Sequence, residues 1–198
     1  MTILKTLILA TAALMTAPSY AALIPLDPAK IDAINRMTST QDLIDYANND
    51  ANYTAPTTPK YYDEQESMIN AFVITHRLKA GIVAKEFIGK ILSQDLPDPV
   101  ETSKVQGVVN AIAIVGGVDL LTIAKRGMQM SPRHAFLIAN AAGAYLLTDD
   151  KLGLAGYRIG LKKAVNLLKK DNPSIGALTK VFKDIRLIPK QSKVPSPS

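Results

Sequence analysis

Apolar residues recur at helical spacing along most of this chain, and no stretch shows the sustained alternation of a strand. The longest stripe runs from 62 to 93. Met68, Ile69, Phe72, Val73, Leu78, Ile82, Val83, Phe87, Ile91 and Leu92 share it, and the spacing predicts one long helix. Asp63-Glu64-Gln65-Glu66 places negative charge on its first turn, where the helix dipole favours it. Two short helices are expected upstream. Asp27-Pro28 is a cap followed by a proline at the first helical position, and Ile31, Ile34 and Met37 follow at three-residue spacing over 28–37. Thr38-Ser39-Thr40 offers a second cap ahead of Leu43, Ile44 and Ala47. The polar run from Asn48 to Pro59 reads as a loop.

Downstream of Pro97-Asp98-Pro99, the stretch from Glu101 to Ala124 predicts a strongly apolar helix with a break at Gly116-Gly117. Gly127 and Ser131-Pro132 mark the next turn, with Ser131 as a cap. His134 to Leu147 forms another apolar helix, Lys151 to Lys170 an amphipathic one, and Ile175 to Leu187 a short last one. Together these elements predict a single all-α domain over 22–187. It would be a bundle of about six or seven helices around a central hydrophobic hairpin, 105–124 and 134–147. The proline-rich end, 188–198, reads as a disordered tail.

The first 21 residues follow a different pattern. Lys5 precedes a short apolar run, Leu7 to Leu14, and Ser19-Tyr20-Ala21 places small residues ahead of Ala22. This is the layout of a cleaved secretory signal, and the apolar run is short for a membrane span. The expected location is therefore the periplasm or the exterior. The chain has no cysteine, so packing without disulfides must hold the fold, and no lipid can be attached to a cysteine after cleavage. With no tryptophan and few aromatics, stacking modules for sugars or quaternary amines are disfavoured.

Charge is uneven. Residues 22–66 hold eight acids and three bases, whereas 158–198 hold ten bases and two acids. On the helical wheel of 151–170, Tyr157, Leu161, Ala164, Val165 and Leu168 take one side. Arg158, Lys162, Lys163, Lys169 and Lys170 take the other, and this basic face is the candidate surface for a protein partner or an anionic membrane. The ordinary alternative is a solvated surface. No nucleic-acid motif accompanies the charge.

Candidate chemistry is sparse. His76 and His134 are too few and wrongly spaced for a helical metal pair, and no cofactor is implied. There is no G-x-S-x-G elbow, phosphate-cradling glycine loop or H-E-x-x-H. Ser131 lies near His134, but its position suits capping. Asp119, amid Val118, Leu120 and Leu121, is either a buried acid with a raised pKa or the start of a new helical segment. Ala139 with Gly143, and Gly156 with Gly160, are spaced for close helix contact; Gly153 lies just upstream. The expected function is non-enzymatic: contact with an envelope protein as an adaptor, inhibitor, immunity-type or accessory factor. Alternatives are a carrier of a small apolar ligand or lipid between the central helices, and a membrane-active protein that exposes the 105–147 hairpin.

Overall fold

The computed structural model describes residues 23–53, 60–146 and 150–186. The predicted signal segment, the predicted disordered tail and the end of the predicted Asn48–Pro59 loop lie outside the described residues. Within them the fold is all-α, as the periodicity predicts. The helices are α1 (Pro28–Asn35), α2 (Thr40–Ala47), α3 (Lys60–Thr75), α4 (Ala80–Leu92), α5 (Asp98–Ala113), α6 (Leu120–Met130), α7 (Ala135–Gly143), α8 (Lys151–Asp171) and α9 (Gly176–Asp184). The described residues thus hold nine α-helices rather than six or seven.

The difference comes chiefly from two breaks. At the first, His76 takes a non-helical backbone (φ −126°, ψ 51°). Its amide still donates to Phe72 O, and its ring stacks on the Phe72 ring with centroids 4.4 Å apart. A short 3₁₀ turn, Arg77–Lys79, then redirects the chain into α4. The predicted helix 62–93 is therefore two helices. Leu78, assigned to the apolar stripe, is instead fully exposed at the corner, and Ile82 is half exposed. The second break is the one at Gly116-Gly117. Gly117 adopts φ +78°, a left-handed conformation that a side chain would disfavour. Asp119 then caps α6. Gly127 does not mark a turn: it lies within α6, packed against Ile138 and Ile88.

α5, α6 and α7 form the centre, enclosed by α3 and α4 on one side and α8 and α9 on the other, with α1 and α2 on α3. Phe72, Phe87, Ile88, Ile112, Ile123, Met128, Ile138 and Leu161 are among the largest fully buried side chains. Burial of such side chains stabilises the fold by roughly 1.5–3 kcal/mol each. Ile114, placed by its surroundings in the predicted core, is only partly buried. The extended N-terminal segment is pinned to α3 by Ile24 N–H donating to Ser67 Oγ at 2.9 Å. Among the described residues, no helix is long and apolar enough to cross a membrane.

Candidate ligand-binding cleft

The break between α5 and α6 leaves an open cleft of about 740 Å³. One wall is the loop from Ile114 to Asp119. Ile74 and Arg77 at the end of α3 form a second side. Leu146, Asp150 and the first turns of α8 form the third, and Leu120 and Leu121 also line it. Its lining is mostly apolar, with Ile74, Ile114, Val118 and Leu121 among the side chains, a composition typical of small-molecule pockets of this size.

Glycines create the space. A Cβ built on Gly116 or on Gly156 would meet nothing within 4 Å, so both face open volume. Gly160, one turn after Gly156, behaves differently. A Cβ there would collide with Leu121, so this glycine sets the approach of α8 to α6. Gly153 accommodates the Asp150 carboxylate that caps α8. The spacing that predicts close helix contact is thus used for contact at Gly160 and for a vacant wall at Gly156.

Most polar groups lining the cleft are engaged by the fold. Asn70 Nδ2 donates to Ala111 O at 2.8 Å, tying α3 to α5. Tyr157 is buried, and its hydroxyl donates to Ala139 O at 2.7 Å; burial pushes its pKa up. Asp119 accepts from Thr122 N at 3.0 Å and from Thr122 Oγ1 at 2.6 Å. Partial burial raises its pKa, but these bonds, the Leu121 amide and Lys125 outweigh that effect, so the net shift is downward. Asp119 therefore begins a new segment rather than serving as a buried acid. Asp150 Oδ1 accepts from Gly153 N at 2.7 Å.

The basic residues predicted as a binding surface lie elsewhere on α8, and they do not share one environment. Lys162, Lys163 and Lys170 are exposed, whereas Arg158 is partly buried. Lys169 Nζ sits 5.1 Å from the centroid of Phe182, a cation–π contact that joins α8 to α9. The opposite stripe is the packed one: Tyr157, Leu161, Ala164 and Val165 are all buried.

Ser131 and His134 do come together, with Glu101 as a third member. Ser131 Oγ lies 2.7 Å from His134 Nδ1, and His134 Nε2 lies 3.4 Å from Glu101 Oε1 and 3.3 Å from Thr102 Oγ1. Arg133 pairs with both oxygens of the Glu101 carboxylate. Ser131 does hold the N-cap position with Pro132 first in the turn, but its hydroxyl makes no capping bond to a backbone amide and goes to His134 instead. The order nucleophile, base, acid resembles a catalytic chain, but its setting is structural. Ser131 is 1% exposed and its amide donates to Gly127 O. The next residue, Pro132, has no amide hydrogen to stabilise an oxyanion. Burial, the largest influence, together with Arg133, depresses the His134 pKa against the opposing pull of Glu101 and Asp98. The cluster latches α5 to the turn between α6 and α7.

A further carboxyl, the partly buried Glu66 on α3, faces α5 where Gly107 leaves room; a Cβ at Gly107 would collide with Glu66 Oε1. Burial, and secondarily Asp63, push its pKa up to about 7. No group of three or more potential metal ligands occurs among the described residues. No protein-family model, characterised protein or solved structure matches the chain at a significant level.

Proposed function

We propose that this protein is a non-enzymatic binding protein that takes a small, largely apolar molecule into the cleft between α3, the Ile114–Asp119 loop and α8. The proposal places it outside the cytoplasm after removal of residues 1–21, on the strength of the N-terminal sequence pattern. The observation that carries the reading is the vacant apolar wall. A cleft of about 740 Å³ is bounded by Ile74, Ile114, Val118 and Leu121, with Gly156 presenting no side chain to it. Gly156 and Gly116 are exposed, so the cleft opens to solvent, and an open concavity of this size with an apolar lining is the usual form of a small-molecule site.

The test is to fill it. Gly156→Phe adds a ring where a Cβ meets nothing, at a helical position where glycine is disfavoured by about 1 kcal/mol relative to alanine. The variant should keep its melting temperature. The neutral apolar dye Nile red should bind the wild type with enhanced fluorescence and should not bind Gly156→Phe. Equal binding by both proteins would remove the cleft from the account.

A second reading has its own observation. Leu78 is fully exposed at the α3–α4 corner, with Ile74 and Ile82 half exposed nearby, and exposed clustered apolar residues favour a protein contact. If that contact is the function, Leu78→Ser with Ile82→Ser should abolish capture of an envelope partner by the mature protein. Gly156→Phe should leave that capture intact.

A further inference from the structure

We infer that the cleft selects amphiphiles carrying one anionic head group, with Arg77 holding the head and the apolar body lying along Ile74, Ile114 and Leu121. This inference rests on the cleft being a ligand site. Among the described residues, three charged side chains line it: Arg77, Asp119 and Asp150. Both acids are occupied. Asp119 accepts from Thr122 through each of its oxygens, and Asp150 accepts from Gly153 N, so each carboxylate sits on the positive end of a helix. A cationic head would have to share these carboxylates with the capping groups.

Arg77 is in the opposite position. It makes no ion pair and no side-chain hydrogen bond with any described residue. Its guanidinium lies over the loop, with Nη1 3.5 Å from the place a Cβ on Gly117 would occupy. That is ordinary van der Waals range, so the exposed Arg77 side chain rests against the loop at the edge of the apolar wall. A guanidinium offers a planar fork of donors that fits a carboxylate or phosphate through two parallel bonds. An uncommitted fork beside an apolar trough is the pairing that an anionic amphiphile needs, and a neutral molecule would leave it unused. A free fatty acid and a lysophospholipid share this chemistry.

The experiment compares ligands of equal chain length by displacement of Nile red from the full mature chain. Decanoate, 1-decanol and decylammonium are titrated below their micelle concentrations, into wild type and Arg77→Gln. A charge-assisted bond at this exposed edge should favour decanoate over decanol by roughly tenfold. In Arg77→Gln the two should bind alike. Lys163→Gln, which removes an exposed charge away from the cleft, should preserve the discrimination. Parallel titration with a decanoyl lysophosphatidylglycerol then identifies the source, according to which anion binds more tightly. If decanol and decanoate bind wild type equally, the head-group inference is overturned while the cleft stands. Preferential binding of decylammonium overturns it in favour of the two aspartates. If none of the three displaces the dye, the cleft reading fails with it.

Discussion

Replacing Glu66 by glutamine should change how the stability of this protein depends on pH. Glu66 projects from α3 toward α5, into the room left by Gly107, and its carboxyl makes no ion pair or hydrogen bond to a described residue. Burial, reinforced by Asp63, raises its pKa from 4.5 to about 7. The folded chain therefore holds this proton more tightly than the unfolded chain does. Between pH 4.5 and 7 the folded state binds more protons, so stability falls as pH rises and is lowest once both states are ionised. A shift of that size corresponds to about 3 kcal/mol lost across the window. Glutamine mimics the protonated form and removes the dependence. At pH 8, Glu66→Gln should be more stable than wild type by up to about 3 kcal/mol. For a domain of this size that is roughly 6–12 °C in Tm. Near pH 4.5 the two should nearly coincide. Urea unfolding followed by circular dichroism at pH 4.5, 6 and 8 measures it. Parallel stability profiles would mean that Glu66 is hydrated in the folded state, and that the α3–α5 contact at Gly107 is wrong.

Two further expectations concern the core and the latch. Ile112 is fully buried whereas Ile114 lines the cleft, so Ile112→Asp should unfold the domain and Ile114→Asp should leave it folded, as read by circular dichroism. Arg133 is half exposed and its partner Glu101 is buried, so Arg133→Ala strands a carboxylate in the interior with His134 Nε2, 3.4 Å away, as its remaining partner. It should cost about 2–3 kcal/mol in denaturant unfolding, below the value for a fully buried pair, and Glu101→Gln should cost less.

The helices were legible in the sequence because their signals are local. Ser39 and Asp42 form the capping box of α2, Asp27 caps α1, and the apolar runs of α5 and α7 are largely buried. The break at His76 left no such signal. The buried positions from Met68 to Ile91 continue through it in helical phase, and past the turn Gly81 lies close against Thr122 of α6. The Gly116-Gly117 break was visible, but its consequence was not. Whether a glycine faces a neighbour or empty space depends on which helix packs opposite, and Gly156 and Gly160 look alike in sequence. Arg77 was hidden for the same reason: it reads as one charge on a continuous helix, and only the turn brings it to Gly117. Ser131 read as a cap because Ser-Pro suits one, while the partner that claims its hydroxyl, the His134 of the Glu101 cluster, depends on α5 packing beside the turn.

The most direct test of the cleft is amide chemical-shift mapping of a chain of residues 22–198 titrated with decanoate. The account predicts saturable shifts over Ile114–Leu121 and over Gly153–Tyr157, with little change in α9 or at Lys162, Lys163 and Lys170. Shifts concentrated on that basic face instead, or no saturable shifts at all, would contradict it.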